Sequence, residues 1–335
     1  MLSGAIVGFG EVAEHGHWPA YGTVPGLEIA AIVEQRPERR RIATELNPSL
    51  ATFASLEALA AGPAAIDFLD ICTPPAFHAA AMLFALDRGW HVLCEKPFLL
   101  DRAVIEIARA RALEKRLALV PVQNWKYAPI IARATALLRA GAVGPLRKVE
   151  IETRRSRACG PADRGDVSWR FDPAIAGGGI FMDHGWHAVY LALHWFGERP
   201  LDIRARLRRP EPAAVEDEVF AVMTFPSGNA VIGLSWNAAT RRNTIRLEGV
   251  QGEIIVRDDV LIVDAQNRRA TERFPASLSA GSYHADWFAA MLPDVAAAFA
   301  DPGSACAMFD EAAACLSIIQ RAYGADANEA VSRVP

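Results

Sequence analysis

Short apolar strands alternate with helical segments through the first third of the sequence, and this alternation limits the fold more than any other feature. The candidate strands are residues 5–7, 27–33, 66–72, 91–94 and 117–122. The segments 37–46, 76–88 and 101–116 between them have helical patterns, with Asp101 as an N-cap and Gly89 as a C-terminal stop. Because crossover helices connect parallel strands, the pattern predicts an α/β domain with a doubly wound parallel sheet of the Rossmann type.

The pattern changes in the second part of the chain, where the candidate strands alternate apolar with polar residues. These strands are residues 146–155, 201–208, 218–225, 230–236 and 244–248, and Pro226-Ser227-Gly228-Asn229 has the residues of a hairpin turn. Segments 181–196 and 305–323 have helical patterns. We therefore predict a Rossmann domain at 1–124 and an α+β domain at 125–335 with a large, mainly antiparallel sheet. The C-terminal helix could pack back on the first domain.

Composition excludes several classes of protein. The formal net charge of −4 provides no basic surface for a phosphate backbone, so nucleic acid is not an expected partner. The sequence contains no apolar run long enough to cross a bilayer and no N-terminal signal segment, so we also expect no membrane. Five scattered cysteines without a Cys-x-x-Cys pair are typical of reduced thiols. These features predict a soluble cytoplasmic protein.

A glycine-rich turn follows the first strand directly and opens a helix. Its residues are Gly8, Phe9, Gly10, Glu11, Val12 and Ala13. Glycines at the first and third positions permit a tight turn and a close approach to a pyrophosphate, and the helix N-terminus favours an anion. Alanine replaces the third glycine of the motif, which is an accepted variant. The turn therefore predicts a dinucleotide site.

Glu34 ends the second strand, where a carboxylate can accept hydrogen bonds from a ribose 2′-hydroxyl and repel a 2′-phosphate. The cofactor site extends through Gln35 and Arg36. This position favours NAD as the cofactor. NADP stays an alternative, because one of the nearby arginines could neutralise a 2′-phosphate; these are Arg36, Arg39, Arg40 and Arg41.

Two further motifs lie at the carboxyl ends of predicted strands, where ligands collect in open parallel sheets. The first is Cys72-Thr73-Pro74-Pro75 with His78, and the second is Glu95-Lys96-Pro97. A third motif is Gly177-Gly178-Gly179 followed by Asp183, His184 and His187. Together with the glycine turn, these motifs resemble the Gfo/Idh/MocA oxidoreductases, the family of glucose-fructose oxidoreductase and inositol dehydrogenase, over nearly the whole chain.

The resemblance implies an NAD(P)-dependent enzyme that moves a hydride to or from the hydroxyl-bearing carbon of a sugar, cyclitol or sugar derivative. It implies Lys96, Asp183 and His187 as the catalytic set, and we expect Lys96 and His187 to meet across one cleft. His184 lies about a quarter turn away on the predicted helix, where it would either contact the substrate or support the residues that do. It also implies that the second domain binds substrate and that its open sheet packs against another subunit, in a homodimer or homotetramer. The family often has an acid three residues after the histidine, where this chain has Tyr190.

The chemistry of these residues agrees with those roles. A lysine beside an oxidised nicotinamide would have its charged form disfavoured, and an imidazole has a reference pKa suited to taking an alcohol proton. Asp183, one helical turn before His187, could orient it. His194 lies on the same predicted helix face, but the spacing matches no known zinc site, so we expect no metal.

Several other residues match positions near cofactor or substrate in the family: Gln123, Asn124, Lys126, Trp169 and Arg170. Arg155 and Arg157 lie among arginines that lead towards the glycine-rich loop, and they raise the hypothesis of an anionic substrate, with a solvated or subunit-contact loop as the alternative. Two other functions stay open, namely a noncatalytic NAD-binding sensor and an enzyme that uses tightly bound NAD for internal redox, as an isomerase or an eliminating glycosidase.

Overall fold

The computed structural model describes residues 1–156, 158, 168–211 and 214–332. The chain forms two compact units. The first contains Met1–Asn124 together with Tyr283–Ala313, and the second contains Trp125–Ser282 and the segment from Ala314 onward. The first unit is therefore built from two stretches of sequence that are far apart in the chain.

Six parallel strands form the sheet of the first unit: β1 (Leu2–Val7), β2 (Leu27–Val33), β3 (Ala51–Phe53), β4 (Phe68–Ile71), β5 (His91–Cys94) and β6 (Leu119–Pro121). Their order is β3-β2-β1-β4-β5-β6, and every neighbouring pair is parallel. This is the doubly wound order with its switch point between β1 and β4, so the predicted Rossmann sheet is confirmed. The sequence did not reveal β3, because three half-buried residues are too few to show a period.

The helices of the first unit follow the predicted start and stop signals. They are α1 (Trp18–Tyr21), α2 (Pro37–Leu46), α3 (Leu56–Ala61), α4 (His78–Arg88) and α5 (Arg102–Lys115). The Asp101 carboxylate accepts the backbone N–H of Ala103 at 2.8 Å and caps α5, and Gly89 ends α4 at φ +79°. All four residues of β4 are buried, including the polar Asp70, which is unusual in a strand covered on both faces.

Eight strands form the sheet of the second unit: β7 (Leu146–Arg154), β8 (Asp202–Arg208), β9 (Glu218–Thr224), β10 (Asn229–Ser235), β11 (Arg242–Gly249), β12 (Gly252–Arg257), β13 (Val260–Ala265) and β14 (Arg268–Arg273). Their order is β14-β13-β12-β11-β7-β10-β9-β8. The pairs are antiparallel apart from β7 with β10, which confirms a mainly antiparallel sheet. The sequence analysis missed β12–β14, and β14 is exposed throughout, so it shows no alternation.

The predicted hairpin between β9 and β10 is present, with backbone hydrogen bonds in both directions between Phe225 and Gly228. The helices of the second unit are α6 (Pro129–Arg139), α7 (Pro173–Ala176) and α8 (Trp186–Phe196). Helix α8 is buried over most of its length, so it forms the centre of this unit's core. It continues directly from a single π-helical turn at Phe181–Gly185.

The chain ends with α9 (Ala285–Ala300) and α10 (Cys306–Ser332). Helix α9 belongs to the first unit because its apolar side chains pack there. The Phe288 ring stacks on His17 with centroids 3.7 Å apart, and the Phe299 ring lies 5.2 Å from that of Phe68. Among the residues described here, no helix combines the length and the hydropathy that a membrane span requires.

Candidate active site

The two glycines of the turn after β1 have different surroundings. Gly8 has φ +86°, and a Cβ there would lie 2.9 Å from Cγ2 of Thr73 and 3.0 Å from the Thr73 nitrogen. A Cβ at Gly10 would meet nothing within 4 Å. Gly8 is therefore required by the fold itself. Gly10, in contrast, leaves open space beside the turn. Ala13 is fully buried at the packing position, and a π-helical turn at Ala13–His17 begins there.

Glu34 holds the glycine turn against the end of β2. Its Oε2 accepts the backbone N–H of Phe9 at 2.8 Å, and its Oε1 accepts that of Arg36 at 3.0 Å. The residue is buried, with 8% exposure. Oε1 also accepts from Nε of Arg36 at 3.4 Å, and the second lone pair of Oε2 could accept from a ribose hydroxyl.

All four nearby arginines have acceptors in the protein itself. Arg36 Nε lies 3.4 Å from Glu34 Oε1 and Arg41 Nε lies 3.4 Å from Glu45 Oε1. Arg39 is buried and donates to the Phe9 carbonyl and the Glu14 carboxylate, each at 2.6 Å. Arg40 donates to the carbonyls of Glu34 and Gln35 at 2.6 and 2.7 Å. These bonds account for the guanidinium groups of Arg39 and Arg40 without a 2′-phosphate, which agrees with the preference for NAD. Glu11 accepts the hydroxyl of Tyr283 at 3.3 Å, and Val12 is half-buried at the helix start.

His78 connects the two motifs at the ends of β4 and β5. Its Nε2 lies 2.7 Å from the Thr73 carbonyl oxygen and its Nδ1 lies 3.0 Å from that of Pro97, which follows a cis peptide bond after Lys96. Burial lowers the pKa of His78, so the ring is neutral and donates to one of the two carbonyls at a time. Both nitrogens of His78 lie near backbone carbonyls, and its predicted cofactor contact stays a prediction.

A buried polar network lies beneath these two motifs. His17 Nδ1 lies 2.8 Å from Asp70 Oδ2 and His17 Nε2 lies 3.1 Å from Glu95 Oε1, while the Tyr21 hydroxyl donates to Asp70 at 2.9 Å. Burial is the largest single effect and opposes the charge of His17, but the charge and hydrogen bond of Asp70 together with the contact to Cys72 hold the pKa of His17 well above its ordinary value. His17 is therefore an imidazolium between two carboxylates. Nothing in the local sequence pattern pointed to His17 or Asp70.

Glu95 links His17 of this network to the backbone of Lys96. Its Oε2 accepts the backbone N–H of Lys96 at 2.9 Å. Burial opposes ionisation of Glu95, but the hydrogen bond and charge of His17 hold its pKa below the ordinary value. The Lys96 backbone is thereby fixed by an ionised, hydrogen-bonded neighbour. The structure therefore accounts for Glu95 as a residue that orients the motif.

Cys72 lies beside the same network, with Sγ 3.3 Å from His17 Nδ1. Burial, together with the Asp70 charge, raises the pKa of the Cys72 thiol to about 12. One potential ligand atom from each of His17, Asp70 and Cys72 lies within 4.8 Å of the others, a spacing at which a metal could bind. Hydrogen bonds already account for the arrangement of the three side chains, so the network does not require an ion.

Glu216, which the sequence analysis missed, organises the glycine-rich loop of the second unit. Its Oε1 accepts the backbone N–H groups of Gly179 and Phe181 at 2.9 Å each and the Tyr323 hydroxyl at 2.8 Å. A Cβ at Gly179 would lie 2.0 Å from the Glu216 carbonyl oxygen, and one at Gly178 would lie 2.1 Å from the Tyr323 hydroxyl. Glycine is therefore required at both positions by close packing.

The loop leads into the helix that carries the predicted catalytic residues of the second unit. Asp183 and His184 lie in the π-helical turn, and Asp183 Oδ2 is 3.1 Å from His184 Nδ1, although the angles are not those of a hydrogen bond. His187 follows on α8 with 7% exposure. A π turn bonds residue i to i+5, and the predicted role of Asp183 in orienting His187 stays a prediction. Such turns are frequent at functional sites.

His187 is held between two aromatic side chains. Its Nδ1 lies 2.9 Å from the Tyr190 hydroxyl, and its ring stacks on Trp125 with centroids 4.9 Å apart and planes at 17°. Lys126 Nζ lies 5.5 Å from the centre of the Tyr190 ring. His194, further along α8, accepts from Arg139 at 3.0 Å, and burial with the charges of Lys126 and Arg139 lowers the pKa of His194 to about 4.

The remaining predicted residues differ in how far the structure describes them. Arg155 is buried and donates to the Arg154 carbonyl at 2.8 Å and to Asn243 Oδ1 at 3.1 Å, bonds that give it a structural role. Arg157 lies outside the described residues. The Arg170 guanidinium lies 4.3 Å from the centre of the Trp169 ring. Gln123 is buried, and Asn124 begins a short 3₁₀ turn that contains Lys126.

The first unit has the features that a dinucleotide needs. Open space lies beside Gly10, the Glu34 carboxylate ends β2, and the Thr73 hydroxyl oxygen is buried without a hydrogen-bond partner in the described chain. Buried polar atoms are normally paired, so the Thr73 oxygen points to a partner that a ligand would supply. These residues fit a nicotinamide dinucleotide. Lys96 belongs to the first unit and Asp183 and His187 belong to the second, so their meeting at one substrate stays a prediction.

Curated relatives of this chain carry the names of sugar dehydrogenases. A levoglucosan dehydrogenase from Pseudarthrobacter phenanthrenivorans is 26% identical over 233 residues, which cover 61% of this chain and 59% of that protein. A D-glucoside 3-dehydrogenase from Escherichia coli is 30% identical over 199 residues, or 58% of this chain and 53% of that protein. The matched regions thus span less than two thirds of these two relatives.

Among solved structures, an oxidoreductase from Agrobacterium radiobacter in complex with NAD+, L-tartaric acid and magnesium is 20% identical, with a TM-score of 0.85. The match covers 98% of this chain and 97% of that one, so the fold is shared over its whole length. Residues 2–122 match the model of an oxidoreductase family with an NAD-binding Rossmann fold, and residues 131–255 match the Gfo/Idh/MocA C-terminal domain. The resemblance seen in the sequence is confirmed, and the chain belongs to the Gfo/Idh/MocA family of NAD-binding oxidoreductases.

Proposed function

We propose that the chain is an NAD-dependent dehydrogenase or reductase acting on a hydroxyl-bearing carbon of a sugar, cyclitol or sugar derivative. The observation that carries the proposal is the setting of His187, a buried imidazole fixed by Tyr190 and stacked on Trp125 at the start of α8. A histidine with a fixed ring and a reference pKa near 6.5 suits proton transfer to or from a hydroxyl at neutral pH. The sugar substrates in the names of the relatives support the substrate class.

The first unit would hold the cofactor through residues whose chemistry matches its parts. The N-terminal turn at Gly8 and Gly10 would lie against the pyrophosphate, and Glu34 would accept the hydroxyls of the adenosine ribose. Thr73 would donate its unpaired hydroxyl. Bound NAD supplies the acceptor or donor of the hydride. Exchange of the Glu34 carboxylate for a neutral side chain should therefore weaken NAD binding more than NADP binding.

The protein's own residues would manage the proton. In the oxidative direction His187 takes the hydroxyl proton at Nε2, and in the reductive direction it returns it. The Lys96 ammonium donates a hydrogen bond to the same hydroxyl oxygen and stabilises negative charge that develops there. Asp183 orients the substrate or the imidazole. Because Lys96 lies at the end of β5 behind an ionised Glu95, its backbone position is held before substrate binds.

The experiment is an absorbance screen at the reduced-nicotinamide band with inositols, hexoses, sugar acids and nucleotide-sugars, each offered with NAD+ and NADP+. Neutral and anionic substrates are tested separately, because the arginine segment raised the hypothesis of an anionic substrate. Arg155 of that segment is buried, and Arg157 lies outside the described residues. Cofactor that co-purifies with the protein would instead favour internal redox. Turnover with any sugar-type substrate supports the proposal, and none with every class contradicts it.

Matched variants then assign the residues. Lys96→Ala and His187→Asn should each lower kcat by about 100-fold or more while NAD still binds. Lys115→Ala, on the exposed end of α5, and His194→Asn, which is bonded to Arg139, are the controls and should keep kcat within about twofold. Binding of NAD without turnover in the unaltered protein would indicate a sensor instead of an enzyme.

We also propose, from the family resemblance, that the chain assembles as a homodimer or homotetramer. One face of the second unit's sheet is open to a partner in part, since Phe220 on β9 is 53% exposed. Light scattering across a concentration series measures the assembly directly. A monomer at every concentration would contradict this part of the proposal and leave the catalytic part untouched.

A further inference from the structure

The geometry points to Tyr190 as the positioning residue of His187, with a phenol hydroxyl in the place where the family often has a carboxylate. The inference rests on the proposed role of His187. Tyr190 is fully buried, and its hydroxyl lies 2.9 Å from His187 Nδ1. The two residues are three positions apart on α8 and therefore share one helix face. The imidazole and phenol rings meet edge to face, with centroids 5.5 Å apart.

A second contact fixes the phenol itself. The backbone N–H of Trp125 donates to the Tyr190 hydroxyl oxygen at 3.2 Å, and the Trp125 ring also stacks on His187. Tyr190, His187 and Trp125 thus contact one another, and each limits the movement of the other two. Because the hydroxyl oxygen is anchored by Trp125, the position of Nδ1 and the plane of the imidazole are set before any ligand binds.

A phenol and a carboxylate have different consequences for the histidine. A carboxylate only accepts, so it selects the tautomer with a proton on Nδ1. A phenol accepts or donates, so rotation of the O–H bond satisfies the Nδ1–H of an imidazolium and also the bare Nδ1 of a neutral ring with its proton on Nε2. Only a neutral ring with its proton on Nδ1 has a bare Nε2 that can take a hydroxyl proton, and the imidazolium that returns one also carries a proton on Nδ1. In both of these states the Tyr190 oxygen accepts from Nδ1–H, whereas the rotamer that donates to a bare Nδ1 holds a neutral ring that cannot act as a base at Nε2.

The charge of the imidazolium is stabilised differently as well. Tyr190 contributes no negative charge, and the face of the Trp125 indole provides cation–π attraction. Ionisable groups of the described residues near this set include Lys126, whose Nζ lies 5.5 Å from the centre of the Tyr190 ring, and Asp183 and His184 lie in the preceding turn. The side chains of β7 that face the core are uncharged: Val149, Ile151 and Thr153. An acid at position 190 should therefore change the proton affinity of His187.

The first test is an NMR titration of His187 in the protein without cofactor, with its signal assigned by its loss in His187→Asn. Tyr190→Glu and Tyr190→Gln are matched in shape and differ in charge. We expect the titration midpoint of His187 to be about one pH unit higher in Tyr190→Glu than in Tyr190→Gln. Identical midpoints would overturn the inference, because a carboxylate in contact with Nδ1 must favour its protonated form.

The second test uses turnover. Tyr190→Phe removes only the hydroxyl, and we expect kcat to fall about tenfold with KM changed less than about twofold, because ground-state binding is kept while the ring loses its fixed orientation. Thermal unfolding and NAD affinity check that the variant is folded. If Tyr190→Phe keeps kcat within twofold, the inference fails even though His187→Asn is inactive. If His187→Asn stays active, the proposed function fails, and the NMR comparison still reports on the contact.

Discussion

His17 and Asp70 form a buried ion pair at the switch point of the first sheet, with His17 Nδ1 2.8 Å from Asp70 Oδ2. The two side chains are 2% and 0% exposed. A buried charge that loses its partner costs far more than a surface one, so removal of either residue should destabilise the fold strongly. The same imidazolium also contacts Glu95, the residue that fixes the backbone of Lys96. Stability and site geometry are therefore coupled through His17.

His17→Asn should lower the free energy of unfolding by about 3–5 kcal/mol near neutral pH, since it leaves the Asp70 carboxylate without its cation. Urea unfolding measures this, and His15→Asn is the control in the same π-helical turn, because His15 is 47% exposed. A loss no larger than that of the control would contradict the ion pair.

The pH dependence of that difference has a definite sign. The pKa of His17 is raised in the folded state, so its contribution is complete below the pKa of the unfolded chain and is lost as pH rises through the folded value. The stability gap between the unaltered protein and His17→Asn should therefore be widest near pH 6 and narrow in alkaline solution. A gap that widens with rising pH would exclude a protonated His17.

Gly10→Ala should leave the stability of the protein unchanged and weaken NAD binding. A Cβ at this position meets nothing in the apo protein, so the methyl group clashes only with a pyrophosphate that approaches the turn. Thermal unfolding and NAD titration by calorimetry separate the two effects. Gly8→Ala is the counterpart and should destabilise the protein itself, because its φ is +86° and its Cβ would meet Thr73. Normal NAD affinity in Gly10→Ala would contradict the assignment of the pyrophosphate site.

Glu216→Ala should destabilise the second unit by about 3 kcal/mol, because two backbone N–H groups and one hydroxyl lose their shared acceptor in a buried place. Tyr323→Phe removes one of these three bonds and should cost about 1 kcal/mol. Chemical denaturation gives both values. Hydrogen exchange at Gly179 and Phe181 should accelerate in Glu216→Ala, and unchanged exchange would show that the carboxylate does not hold the loop.

Thiol labelling should distinguish the cysteines at neutral pH. Cys306 is exposed and should react in the folded protein. Burial and the charge of Asp70 raise the pKa of Cys72 to about 12, and burial raises that of Cys94 well above 9.0, so neither forms the reactive thiolate. Peptide mapping after maleimide treatment follows each site separately. Labelling of Cys72 as fast as Cys306 would contradict the buried network around His17.

Local sequence patterns were sufficient for the sheet of the first unit, the cap at Asp101, the stop at Gly89 and the turn at Gly8 and Gly10. Each of these depends on residues within a few positions of one another, where periodicity and backbone preference act directly. The patterns failed at β3, which is too short to show a period, and at β12–β14, of which β14 is exposed throughout. The catalytic roles of Lys96, Asp183 and His187 are implied by the family resemblance and stay predictions, whereas the family itself is confirmed.

The sequence alone thus specified the strand–helix alternation, the dinucleotide turn and the membership of a family, because these features depend on residues that lie close together in the chain. It could not specify that His17 would pair with Asp70 and Glu95, 53 and 78 positions away, or that Glu216 would hold a loop 37 positions before it. Those pairs arise when packing excludes water and leaves each buried polar group to find a partner. The tertiary structure therefore determines which residues become partners, including Tyr190 and Trp125 for His187.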